Sequence, residues 1–166
     1  ARTVQAGAGK DRGAQVLPEV GDEVLVAFEH GDVNRPVVVG GLFNGVDTMP
    51  RGPVDLVDGG TGMINRRSFT SRLGHRVDLV DATGKEGIRA TTTDEKLTLV
   101  MDHSGAKITV HADGKVVIEG SQGITIDSSG SDIDLTGNKI SLKATAGVSV
   151  DGGGGAVDVK AGSTLS

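Results

Sequence analysis

From Val77 onward, apolar residues recur in pairs two positions apart: Val77/Leu79, Ile88/Ala90, Leu97/Leu99, Ile108/Val110, Val116/Ile118 and Ile124/Ile126. The series continues as Ile133/Leu135, Ile140/Leu142, Val148/Val150 and Val157/Val159, and closes on Leu165. A spacing of two puts both members of a pair on one face of a β-strand. Polar residues such as Thr125, Asp134, Ser141, Lys143, Ser149 and Asp158 take the opposite, water-facing side. From Ile108 the pairs step by 8, 8, 9, 7, 8, 9 and 8 residues. Turn-forming residues fill the gaps, as in Ala112-Asp113-Gly114, Ser128-Ser129-Gly130-Ser131, Gly137-Asn138 and Asp151–Gly155. Each repeat therefore reads as one short strand and one turn.

A strand of about five residues spans roughly 17 Å and cannot enclose a core alone. Two architectures solve this. A single chain can coil into a parallel β-helix with several strands per turn. Alternatively, three chains can each supply one face of a narrow triangular prism, which removes free sheet edges and leaves a core thin enough for Val and Ile. One small aliphatic pair per strand favours the second, an intertwined, triple-stranded β-helix over residues 74–166. Its shared interior is predicted to hold Val77, Leu79, Leu97, Leu99, Ile108, Val110, Ile124, Ile126, Ile133, Leu135, Ile140, Leu142, Val148 and Val150.

The opening region follows a different pattern. Val24, Val26 and Phe28 alternate as the face of a strand, Glu29-His30-Gly31-Asp32 supplies turn chemistry, and Pro36 opens a second run through Val37–Phe43. That is a hairpin, and a short β-barrel over residues 1–44 is the economical reading. No convincing helical period occurs there. Residues 45–73, with Pro50, Gly52, Pro53, Gly59, Gly60 and Gly62, read as a linker and lead-in, and the domain joint is expected in this stretch. The whole chain is thus predicted to be all-β.

Composition sharpens the picture. Among 166 residues there are 3 Phe, no Trp, no Tyr and no Cys, so the large side chains of ordinary cores are missing. Glycine numbers 27, more than twice the average usage of about 7%. Hydrophobic residues still make up 36%, too many for a disordered chain, so buried surface must come from repetition or from other copies. Net charge is −5, which argues against a nucleic-acid partner. The charge is uneven: residues 1–62 carry −4, residues 77–166 carry −5, and the block between holds Arg66, Arg67, Arg72 and Arg76 without an acid. Without cysteine there is no disulfide framework, thiolate chemistry or Cys-ligated zinc. No run of about 18 apolar residues suggests a transmembrane helix. The start at Ala1-Arg2-Thr3, without Met, leads us to expect a piece of a longer or processed protein.

Two longer motifs then carry a resemblance. The run Leu17-Pro18-Glu19-Val20-Gly21-Asp22-Glu23-Val24-Leu25-Val26-Ala27-Phe28 leads into Gly31-Asp32-Val33-Asn34-Arg35-Pro36-Val37-Val38-Val39-Gly40-Gly41-Leu42-Phe43-Asn44. It resembles the OB-fold barrel of the VgrG family and the related phage tail spike proteins. Ser71-Arg72-Leu73-Gly74-His75-Arg76, with Lys85-Glu86-Gly87-Ile88 downstream, is similar to the start of that family's trimeric β-helix. Gly147-Val148-Ser149-Val150-Asp151-Gly152 shows its valine–glycine repeat. The resemblance implies a homotrimeric, non-enzymatic spike that caps the tube of a contractile injection machine and is driven through a target envelope. It implies baseplate hub and inner-tube proteins as partners, a PAAR-like tip protein or effector at the distal end, and transient contact with a target membrane. It further implies assembly in the bacterial cytoplasm and action outside the cell or at the target envelope. The family's large upstream hub domain and a pointed tip are not among these residues.

Candidate chemistry is sparse. The barrel offers only Phe28 and Phe43 as aromatics, and both are expected to pack in the core rather than stack on a ligand. His30, His75, His103 and His111 show no metal-ligand spacing, and the Gly152–Asp158 stretch places its Asp one position late for a calcium nonapeptide. There is no G-x-S-x-G and no Cys nucleophile, so no catalytic, cofactor or metal residue is assigned. Arg66, Arg67, Arg72 and Arg76 remain, either as a solvated collar or as a ring pairing with acids of neighbouring chains. The competing function from another class is a trimeric adhesin or carbohydrate-binding tail fibre. It has no need of the OB-type signature and would want an aromatic sugar-stacking face. A β-helix enzyme such as a polysaccharide lyase would need a long groove with clustered carboxylates and aromatics.

Overall fold

The computed structural model describes residues 1–160, so Leu165 lies outside the described residues. Every regular element is a strand apart from one three-residue turn of 3-10 helix, Glu29–Gly31. One compact unit spans Ala1–Val117 and a second begins at Ile118. The division falls inside the apolar pair Val116/Ile118.

The first unit opens with three short strands: β1 (Arg2–Thr3), β2 (Ala8–Gly9) and β3 (Arg12–Gly13). The hairpin predicted next is present as β4 (Val24–Phe28) and β5 (Pro36–Gly41), antiparallel with a bulge between Leu25 and Val26. Its turn needs left-handed backbone at His30 (φ 51°) and Gly31 (φ 78°), which glycine adopts at no steric cost. Pro36 sits at the strand's first position, where its missing N–H does least harm. β1 adds in parallel beside β5, giving the order β1-β5-β4, while β2 and β3 pair only with each other. The sheet is open, not a closed barrel. Phe28 and Phe43 are both exposed, against the core role expected for them, because no further strand or layer of this chain covers them.

Past the linker comes a five-stranded antiparallel meander: β6 (Arg66–Thr70), β7 (Arg76–Val80), β8 (Gly87–Thr91), β9 (Leu97–Asp102) and β10 (Lys107–Ala112). Tight turns join consecutive strands, and each strand pairs with its sequence neighbour. The first four apolar pairs of the repeat series are therefore strands within one chain's own sheet. The later pairs differ. Among the described residues beyond Ala112 no strand forms. The backbone–backbone hydrogen bonds there, beyond the one from Asp113 to Lys96 that closes β9–β10, are the turns Gly123 to Gly120, Ser131 to Ser128 and Gly155 to Gly152. Extended backbone without an adjacent strand has nowhere within the chain to pair its N–H and C=O groups.

Val80, at 8% exposure, is the single buried hydrophobic residue among those described. The accessible surface is 14299 Å², whereas a compact monomer of 16.8 kDa would expose only about 7,700 Å². The chain by itself does not bury a core.

Candidate functional site

The meander sheet has two faces set by strand alternation, and their chemistry is the reverse of a soluble monomer's. On one face stand Phe69, then Val77 and Leu79, Ile88 and Ala90, Leu97, Leu99 and Met101, and Ile108 and Val110. Register locks them into rows. Val77 lies opposite Ala90, Ala90 opposite Leu99, and Leu99 opposite Val110; likewise Leu79 opposite Ile88, Ile88 opposite Met101, and Met101 opposite Ile108. Apart from the half-buried Ala90, all are exposed. A groove of about 790 Å³ runs along this face from Phe69 past Leu99 to Val116. Contiguous apolar surface of this extent marks an interaction site. Each later residue predicted for the shared interior, from Ile124 and Ile126 to Val148 and Val150, is also exposed in the single chain.

The opposite face is polar, and its part on β6 to β8 is covered. Arg66, Ser68, Arg76, Asp78, Val80, Arg89 and Thr91 point that way, and Asp78 is 0% exposed while Arg66 is 4% exposed. Asp78 Oδ1 accepts the Ser68 hydroxyl at 2.5 Å and lies 3.5 Å from Arg66 Nη1, and its Oδ2 accepts Arg76 Nε at 2.6 Å. Arg66 Nη1 also donates to Ser68 Oγ at 2.6 Å. Arg76 and Arg89 share Glu95, at 3.5 and 3.0 Å. A buried carboxylate between two guanidiniums satisfies the requirement that buried charge be paired and hydrogen-bonded. Covering this face is the linker: Arg66 Nη2 donates to the Pro50 carbonyl at 2.9 Å, and Arg76 Nη1 to the Arg51 carbonyl at 3.4 Å.

Within the chain the four arginines of the basic block take different partners. Arg66 and Arg76 converge on Asp78, Arg67 pairs with Asp81 at 2.5 Å, and Arg72 reaches Glu19 at 3.5 Å. Arg67 and Arg72 remain exposed. Asp78 escaped sequence reading. Its one signal was parity: an acid on the non-apolar side of a strand that follows four arginines without an acid of their own. Nothing in the sequence announced that a linker would cover that side.

Other polar groups serve local turns. His75 Nδ1 accepts the Thr93 N–H at 3.3 Å, and His111 Nε2 meets Asp113 Oδ1 at 3.0 Å. In the β8–β9 turn the Thr92 hydroxyl, then the Lys96 ammonium and Lys96 N–H, hold the Asp94 carboxyl down from 3.8 to about 2. Hydrogen bonds from the Thr61 N–H, the Thr61 hydroxyl and the Gly60 N–H lower Asp58, and the Ser104 hydroxyl lowers Glu86. Among the described residues no group of three His, Cys, Asp or Glu converges as metal ligands.

Residues 1–43 match the family described as the type VI secretion system/phage-baseplate injector OB domain. The type VI secretion system spike protein VgrG1c of Pseudomonas aeruginosa is 33% identical over 86 residues, 51% of this chain and 12% of that protein. VgrG1a of the same organism is 43% identical over 49 residues, 30% of this chain and 8% of the relative. VgrG3 of Vibrio cholerae is 37% identical over 49 residues, 30% of this chain and 5% of its own length. The matched stretches span only 5 to 12% of these relatives. Over the matched stretches the chain is similar to VgrG spike proteins, as its opening motif indicated, and an OB-type domain is assigned to its opening residues.

Proposed function

We propose that this chain is a segment of the central spike of a contractile injection system, acting as a homotrimer that caps the tube and pierces the target envelope without catalysis. The observation that carries the reading is the reversed sheet: ten apolar side chains in register face away from the chain, and its polar side is covered along β6 and β7. A solvated apolar face of that kind costs free energy in proportion to its area, and it is relieved when another copy packs against it. The resemblance to spike proteins supplies the kind of assembly.

In this reading residues 1–44 are the OB-type domain, residues 45–73 the linker, and residues 74–166 the three-chain β-helix. Residues 66–112 use in-chain pairing to start the rod, and the repeats beyond take their strand partners from neighbouring chains. Interior positions are those named from the sequence, Val77 through Val150. Arg67 and Arg72, both exposed, are the arginines suited to contacts between chains or with baseplate proteins. The remaining partners are the baseplate hub and inner-tube proteins, with a PAAR-like tip or effector at the far end. The spike would be assembled in the bacterial cytoplasm and act outside the cell or at the target envelope. Light scattering on the purified chain tests the proposal. A species of three times 16.8 kDa is expected, and a folded monomer at micromolar concentration would overturn it.

A further inference from the structure

Asp78 is the one side chain with essentially no exposure among those described, and a piercing rod has no need of a buried charge. Removing a carboxylate and two guanidiniums from water is costly unless their remaining donors and acceptors are used. Here each arginine gives one donor to the linker, on two successive carbonyls, Pro50 and Arg51, while Arg76 Nη2 faces Glu95 and Arg66 Nε is left without a partner. The linker is built to receive them. In Met49-Pro50-Arg51-Gly52-Pro53 two of five residues lack an N–H, so the segment presents carbonyl acceptors with few competing donors. Gly52 lies against the Arg66 guanidinium so closely that a Cβ there would collide with it. We infer that Asp78, with Arg66 and Arg76, forms a clasp that fixes the strap Pro50–Pro53 on the polar face of the meander sheet. Asp78 acts as a positioning residue. It aims both guanidinium forks at the strap, and the strap in turn sets the path the chain takes between Asn44 and Arg66. Pairing of the sheet strands does not depend on it, since β6, β7 and β8 hold one another through their own backbone bonds.

The bond between Arg51 and Gly52 provides the readout, because trypsin cuts after arginine only where the backbone can leave its docked path. The full 166-residue chain is digested, and the rate of cleavage after Arg51 is divided by the rate for the same variant after thermal unfolding. Asp78→Asn, which keeps the shape and removes the charge, is expected to raise the normalised rate by about tenfold or more. Gly52→Ala removes no charge but forces the strap and the Arg66 guanidinium apart, so it is expected to accelerate cleavage to a similar degree, on the order of tenfold. Arg35→Ala, which breaks a pair with Glu29 in the β4–β5 hairpin, is expected to leave the rate unchanged. Circular dichroism confirms that the sheet persists in each variant, and if Asp78→Asn loses the sheet, Gly52→Ala decides. Unchanged cleavage in Gly52→Ala, or equal acceleration in Arg35→Ala, would overturn the clasp.

Discussion

At the scale of single residues, the Asp94 carboxylate offers the cleanest titration. Its folded value, about 2, lies below the ordinary 3.8 because the Thr92 hydroxyl and the Lys96 groups bond its charged form. A depressed carboxylate contributes stability that is fully present above its unfolded pKa and is lost as pH falls through the folded one. The β8–β9 turn should therefore keep this contribution at pH 5 and lose it between about pH 4 and pH 2. A carboxyl-carbon NMR titration of Asp94 should show its midpoint near 2, moving toward 3.8 in Thr92→Val. A midpoint unmoved by that substitution would rule out the hydroxyl as the main cause. Ile126 and Thr125 make a second residue-scale comparison. Ile126 is 69% exposed in the single chain and Thr125 is exposed too, so the chain alone predicts equal tolerance of charge at both. In a shared prism they diverge. Ile126→Asp would bury three like carboxylates at one level, at several kcal/mol each unless protonated, so the damage should ease from pH 7 to pH 4. Thr125→Asp should stay within about 0.5 kcal/mol. Thermal unfolding of both variants, read with their masses, distinguishes the cases, and equal tolerance would refute the assigned register.

The elements divide into two kinds by where their hydrogen bonds go. Strands β6 to β10 are paired inside the chain, whereas the described residues beyond Asp113 make only turn bonds within it. Amide exchange should follow that division. In the assembled protein the repeats Ile118–Val159 should be protected. Dilution or mild denaturant that separates chains should strip their protection first, while the amides of β7, β8 and β9 persist. Loss of protection in both regions at the same denaturant concentration would show that the meander also needs its neighbours. The hairpin β4–β5 was legible in advance because its turn chemistry is local: Gly31 and Pro36 act on their own backbone. The five-stranded pairing of β6–β10 was not, since the same alternation fits a strand whose neighbour is the next in sequence or one from another chain.

For the whole molecule, the surface area decides. At 14299 Å² the single chain exposes nearly twice what a compact monomer of its mass would, and the one buried hydrophobic residue among those described cannot offset the conformational entropy of folding. Folding and association should therefore be one event. The midpoint of thermal unfolding should rise with protein concentration, as linkage requires for an oligomer, and a concentration-independent midpoint would contradict it. Far-ultraviolet circular dichroism should show β-structure with no α-helical band, since the described residues hold only a three-residue 3-10 turn.

The sequence by itself determined the all-β class, the hairpin at Val24–Gly41, the shared face of the apolar pairs from Val77/Leu79 to Ile108/Val110, and the similarity to VgrG proteins. All of these rest on local alternation, turn residues or a continuous motif, which need no knowledge of what lies alongside. Only the tertiary structure decided that Val77 through Val110 belong to a sheet closed within one chain, and that the basic block divides, with Arg66 and Arg76 turned inward onto Asp78 and Arg67 outward. It also decided that the Pro50–Pro53 strap covers that cluster. The physical reason is common to all three. Alternation tells which face a side chain takes, but what covers that face depends on contacts across 10 to 25 residues, such as Ser68 to Asp78 and Arg76 to the Arg51 carbonyl, and no local pattern encodes those.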